Sequence, residues 1–271
     1  MKETAKGYLL TILKITVFFI GWAVLTGIID VPSENPAVWR FFAELIPFLI
    51  ILAFTIIFIL LDHEHIQIPI AQNAGRGSLT GLLCGIVWIG ISAGILLITH
   101  HLIVTGENKV SMMWLWIISA LINVMMQELL VHGYIYQLLK TKYNLQSAVI
   151  VTTALFTLMH GGAFEAGILP VLNVITMSLF TTALYEEEGT LLAPVMAHAV
   201  WNIIGSLLLG GVSLADDYPK LLQMVPSGNT LISGGTYMIE GSVIVLIVNI
   251  SLLVFFTLKA LKNRSINTSA N

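Results

Sequence analysis

Eight apolar stretches joined by short polar connections make up most of this 271-residue chain, and that pattern leaves lipid as its principal solvent. They lie at about 8–29, 41–61, 79–104, 112–139, 147–160, 166–185, 191–209 and 239–261. Roughly 20 apolar residues carry a helix across the ~30 Å hydrocarbon core, so most of these stretches are long enough to span it and 147–160 is short. Inside lipid every backbone N–H and C=O must be bonded within the protein, which selects helices here. Composition agrees: 10% of residues are charged and 57% hydrophobic, where a soluble domain carries about 25% charged. The expected fold class is all-α, a polytopic membrane helical bundle of about eight transmembrane helices.

Several residues refine the spans. The first run is too long for a signal-peptide core and no small-residue cleavage site follows it, so it reads as a retained span, with Lys14 snorkelling to the interface. Pro47 predicts a kink in the second span and Pro170 an interruption in the sixth. Gly81, Gly85, Gly90 and Gly94 form two small-xxx-small pairs in the third, which permit close helix contact. Gly161-Gly162 should break the fifth span, and the residues from about 263 read as a short disordered tail. Cys84 is the single cysteine, so no intramolecular disulfide forms. A net charge of −3 without a basic run points away from nucleic acid as a partner.

With an even number of spans both termini share one side. Lys2, Lys6, Arg76, Lys140, Lys142, Lys259, Lys262 and Arg264 fall there, against Arg40, Lys109 and Lys220 opposite. The positive-inside rule therefore places both termini in the cytoplasm. The stretch 211–238 would then face outward as an ordered or semi-ordered loop rather than a domain.

Three polar clusters interrupt the apolar runs: Gln127-Glu128 with His132, His160 at the end of the fifth span, and His198 with Asn202. An ionisable side chain at mid-bilayer costs roughly 2.5–3.5 kcal/mol on insertion scales, so a chain that carries several uses them. Glu128 and His132, four apart, share a helix face, either as a structural buried pair or as a general base or metal ligand. Gln127 lies about 100° around the helix and accepts no proton usefully. His160 reads as a helix cap or, at a break within apolar sequence, as a group lining protein or water. His198 and Asn202 read as interhelical glue at about 0.6 kcal/mol or as donors to an oxyanion. His63 and His65 read as solvated, His100 and His101 as interfacial, and Glu44 and Glu240 as span-end residues. Trp39, Trp88, Trp114, Trp116 and Tyr134 read as belt or packing groups.

In order and spacing the clusters resemble the three motifs of the CPBP family of intramembrane proteases, which includes CAAX-processing endopeptidases and Abi-type bacteriocin self-immunity proteins. Those motifs are Glu-Glu-x-x-x-Arg, Phe-x-x-x-His and His-x-x-x-Asn/Asp. This chain has Gln127-Glu128-x-x-x-His132 followed by Gly133, then Phe156-x-x-x-His160 and His198-x-x-x-Asn202, with Leu191-Leu192-Ala193-Pro194 leading into the third. The first motif departs twice, with Gln127 at the first glutamate and His132 at the arginine.

The resemblance covers about 112–210 and implies an intramembrane endopeptidase acting on a peptide or membrane-associated protein substrate in a bacterial plasma membrane. On it, Glu128 and His160 activate water, His198 and Asn202 hold the oxyanion, and Gln127 and His132 support. A metallopeptidase is a second version, with Zn2+ on Glu128, His132, His160 and His198. A third reading is a catalytically inactive member that binds peptides or partners, as an immunity or scaffold protein would. A transporter is disfavoured by the absence of paired-repeat hydropathy. The expected organisation is three spans in 1–111, a catalytic core in 112–210, the loop 211–238, and a last span and tail in 239–271.

Overall fold

The computed structural model describes residues 5–62, 66–213, 215 and 217–269; the solvated placement expected for His63 and His65 lies outside the described residues. Among the described residues eleven α-helices follow in the order α1 (Ala5–Gly27), α2 (Pro36–Leu61), α3 (Ala74–Ile98), α4 (Met113–His132), α5 (Tyr134–Lys142), α6 (Leu145–Met159), α7 (Gly161–Ala166), α8 (Ile168–Glu188), α9 (Leu192–Asn202), α10 (Thr230–Ser233) and α11 (Val243–Ser269). Two strands, β1 (Leu102–Glu107) and β2 (Leu222–Pro226), pair antiparallel, with Val104 opposite Met224. A π-helix, Ile203–Leu208, continues α9, and a 3-10 helix, Gly235–Gly241, leads into α11. Among the described residues six helices are long and apolar enough to span a membrane, α4 and α5 counting together as one. The fifth and seventh expected spans are the shorter apolar helices Leu145–Met159 and Leu192–Leu208. The chain is thus an all-α polytopic membrane bundle, with six full-length spans where about eight were expected.

Local chemistry sets the helix starts. Asn35 Oδ1 accepts from the N–H groups of Ala37 and Val38 at 3.0 and 3.2 Å, with Pro36 filling the first helical position of α2. Asn144 Oδ1 caps α6 through Ser147 N at 2.8 Å. Pro170 and Pro194 both fall in first turns, where no N–H is missed, so α8 begins near Pro170 rather than being interrupted by it.

Three further expectations are corrected. The third span stops at Ile98, because His100 adopts a left-handed φ of 56° and the β-branched run Ile103-Val104-Thr105 pairs with β2. The fifth does break, at His160 between α6 and α7, but Gly161-Gly162 lie just past the break and open α7. Residues 263–269 continue α11 as helix, not as a tail.

The closest helix contact is the seam between α3 and α9. A Cβ on Gly81 would lie 2.1 Å from the Ala193 carbonyl oxygen, and one on Gly85 would lie 2.7 Å from that of Ala197. Gly77 meets Thr190 in the same row. Backbones this close gain dispersion that lipid cannot replace. The other expected pair, Gly90 and Gly94, faces open space. Beyond the seam Trp88 of α3 stacks on Trp201 of α9, with centroids 3.9 Å apart. Its Nε1 donates to Asn249 of α11 at 2.7 Å, and Asn249 in turn donates to the Asn173 carbonyl of α8 at 3.0 Å. Three elements, α3, α8 and α11, are thereby tied together beside α9.

The bundle end opposite the strands is held by charge. Lys14 reaches Asp62 at 2.9 Å and Tyr134 donates to the same carboxylate at 2.7 Å, so Lys14 pairs rather than snorkels. Lys259 joins Glu187 and Glu188 at 3.0 and 3.1 Å, and Arg76 joins Glu188 at 3.1 Å.

The glycine contacts yield a stability prediction. Gly85→Val should cost about 1–3 kcal/mol or more by overpacking the seam, whereas Gly90→Val should be neutral or slightly stabilising through helix propensity. Thermal unfolding of the two variants in detergent micelles measures the contrast, and equal midpoints would contradict the seam.

Candidate functional site

Glu128 sits four residues before the end of α4, fully buried at 0% exposure. Its helix stops at His132 because the chain turns at Gly133, where a Cβ would lie 2.0 Å from the Leu129 carbonyl oxygen. No other residue tolerates that approach, and the turn keeps His132 within the bundle. His132 Nδ1 lies 2.7 Å from Glu128 Oε2, and His198 Nδ1, from α9, lies 2.9 Å from Glu128 Oε1. Both imidazoles are 1% exposed. One carboxylate thus joins two spans and takes a ring nitrogen on each oxygen.

A carboxylate only accepts, so His198 donates from Nδ1, which selects the tautomer whose lone pair is at Nε2. His160 is set the same way. Its Nδ1 lies 2.8 Å from the Phe156 carbonyl oxygen, which again only accepts and leaves Nε2 bare. The two histidines share one neighbour: the Phe156 ring lies 4.3 Å from His160 and 6.0 Å from His198, centroid to centroid. His160 occupies the joint between α6 and α7, with φ −95° and ψ 50°. Asn202, one turn beyond His198, is 4% exposed and its side chain makes no hydrogen bond among the described residues. The π-helix starts directly after it, a distortion concentrated at functional sites. Sequence periodicity does not signal that widening.

The four residues considered for zinc do not fit a metal. Both oxygens of Glu128 face imidazole N–H groups, and His132 is engaged at both ring nitrogens, the second at 2.8 Å from Thr182 Oγ1. Among the described residues no group of three or more His, Cys, Asp or Glu is arranged to hold an ion.

Gln127 points into a different network. Its Nε2 donates to Asn123 Oδ1 at 2.7 Å, and Asn123 Nδ2 donates to Glu44 Oε2 at 2.8 Å. Glu44, expected at a cheap span-end position, is 4% exposed and also accepts from Arg40 and from the Tyr218 hydroxyl, both at 3.1 Å. Arg40 pairs in turn with Asp217. Burial, reinforced by the Glu44 carboxylate, pushes the Tyr218 phenol up, so it remains a donor. Gln127 Oε1 is buried without a hydrogen-bond partner among the described residues. Glu44, Asn123 and Thr182 were not legible as site neighbours, since each is an ordinary polar residue whose partner lies far away in sequence. The i, i+4 pairings of Arg40 with Glu44 and of Asn123 with Gln127 are the local signals.

Residues 109–204 match the family model of the type II CAAX prenyl endopeptidases, Rce1-like. The matched segment contains all three polar clusters and supports a CPBP/CAAX-protease assignment. No curated protein and no solved structure matches the chain.

The buried bridge is testable as an energy. Removing one partner leaves a desolvated charge behind, so His132→Ala should destabilise the fold by about 3–5 kcal/mol, while Glu128→Gln with His132→Leu together should cost less than His132→Ala alone. Denaturant unfolding in micelles reads the cycle, and strict additivity would mean the two side chains do not interact in the folded protein.

Proposed function

We propose that the protein is an intramembrane endopeptidase that hydrolyses a peptide bond of a peptide or a membrane-associated protein, with 112–210 as its catalytic core and both termini in the cytoplasm. The observation that carries the reading is the Glu128–His198 pair, a buried carboxylate holding an imidazole by Nδ1. Such a pair orients the ring and makes Nε2 a better base.

The bonding supports a division of roles that differs from the one the resemblance implies. Glu128 has both oxygens engaged and acts through His198. A water donating to the bare Nε2 atoms of His198 and His160 loses one proton to His198 as its oxygen attacks the carbonyl carbon. The Asn202 amide, which has no partner among the described residues, donates to the oxyanion. When the tetrahedral intermediate collapses the C–N bond breaks, and His198 returns its proton to the leaving nitrogen. The products are a carboxylic acid and an amine, with no cofactor consumed.

One observation favours a second reading. Gln127, at the first glutamate of the motif, is tied to Asn123 and the Glu44 network and brings no carboxylate. A protein that binds peptides or partner proteins in the membrane without cutting them, as an immunity or scaffold protein does, would keep the fold and dispense with that charge.

Purified protein in detergent, assayed on fluorophore-labelled casein, separates the readings. Peptidase activity should fall by about 10²–10³ in Asn202→Ala and be lost in Glu128→Gln and His198→Ala. Undiminished cleavage by His198→Ala would overturn the roles given above. An inert parent alongside an active Gln127→Glu variant would establish the binding protein.

A further inference from the structure

Thr182 of α8 is 3% exposed and belongs to none of the three motifs. Its hydroxyl hydrogen is already committed, because Oγ1 lies 2.7 Å from the Ser178 carbonyl oxygen, which can only accept. The same Oγ1 lies 2.8 Å from His132 Nε2 and must therefore accept there, so His132 carries hydrogen on Nε2. On the other side of the ring, Nδ1 faces Glu128 Oε2 at 2.7 Å and carries hydrogen as well. A ring that donates from both nitrogens is an imidazolium.

We infer that Thr182 is a positioning residue: it fixes His132 as a two-way donor and through it holds Glu128 as the carboxylate that orients His198. The kinetic consequence rests on the peptidase reading; the proton assignment does not.

The surroundings agree. His132 is enclosed by Glu128 on its own helix, the Tyr136 ring of α5 at 5.6 Å and the Tyr185 ring of α8 at 5.4 Å between centroids. Beyond Glu128 stands His198 of α9. Glu128 is the one carboxylate in direct contact with the ring among the described residues. The second departure of the first motif follows. An arginine donates whatever its neighbours, whereas a histidine in that place donates from both nitrogens only where an obligate acceptor meets Nε2, and Thr182 is that acceptor.

The test is 15N spectroscopy of histidine-labelled protein in detergent near neutral pH. The signal missing from His132→Gln is assigned to His132, and it should show both ring nitrogens protonated. Thr182→Val, which keeps the shape and removes the acceptor, should expose the Nε2 hydrogen to exchange, and Thr182→Ser should restore its protection. On labelled casein, Thr182→Val should lower kcat by about 10–100-fold at unchanged KM, as loss of an orienting neighbour does, with recovery in Thr182→Ser. A bare ring nitrogen on His132 in the parent would overturn the inference, as would an unaltered His132 signal in Thr182→Val. A doubly protonated His132 in a parent that cuts nothing would sustain the inference and sink the peptidase reading.

Discussion

A fully buried carboxylate held by two imidazoles is the interaction around which this bundle is organised. Glu128 alone would be prohibitive at its depth, and its histidines come from two different spans. The pairing therefore constrains tertiary structure as well as chemistry, since α4 and α9 must meet at one rotation and one height. A single hydrogen bond from His132 to Thr182 extends the same constraint to α8.

Much of the remaining architecture keeps α9 where that geometry needs it. The glycine row of α3 lets two backbones touch, and the Trp88–Trp201 stack continues the contact one turn further on. Asn249 and Asn173 carry it to α11 and α8 through buried hydrogen bonds. The site side chains are thus presented by helices that are themselves fixed, which holds such a constellation more precisely than loops do. At the strand-bearing end, the Arg40–Glu44–Asn123–Gln127 chain forms a second polar network, close to the first in sequence and separate from it in bonding.

What the sequence revealed and what it hid divide along physical lines. The spans were legible because hydrocarbon thickness imposes a length on apolar runs, and the residues Glu128, His132, His160, His198 and Asn202 stood out because polar atoms in such runs are costly. Helix ends were less legible. His100 and Gly133 terminate helices through backbone geometry that hydropathy does not encode, so one span was drawn too long and the turn after His132 was seen only as a matching glycine. The roles within the site were hidden for another reason. Whether Glu128 touches water or touches histidines depends on side-chain rotation between helices some 70 residues apart, and nothing local records it. Thr182 was invisible because threonine in a membrane helix ordinarily bonds its own backbone, as this one also does.

The glycine seam has a mechanical consequence. With the Ala193 and Ala197 carbonyls pressed against α3, α9 has no clearance to rock and behaves as a fixed wall behind His198. On the far side of Phe156, α7 buries none of its residues and hangs between the His160 joint and Gly167, whose φ of 114° suits glycine. The packing is therefore one-sided: α9 is clamped behind His198, whereas the segment beyond His160 is a six-residue helix with no buried side chain.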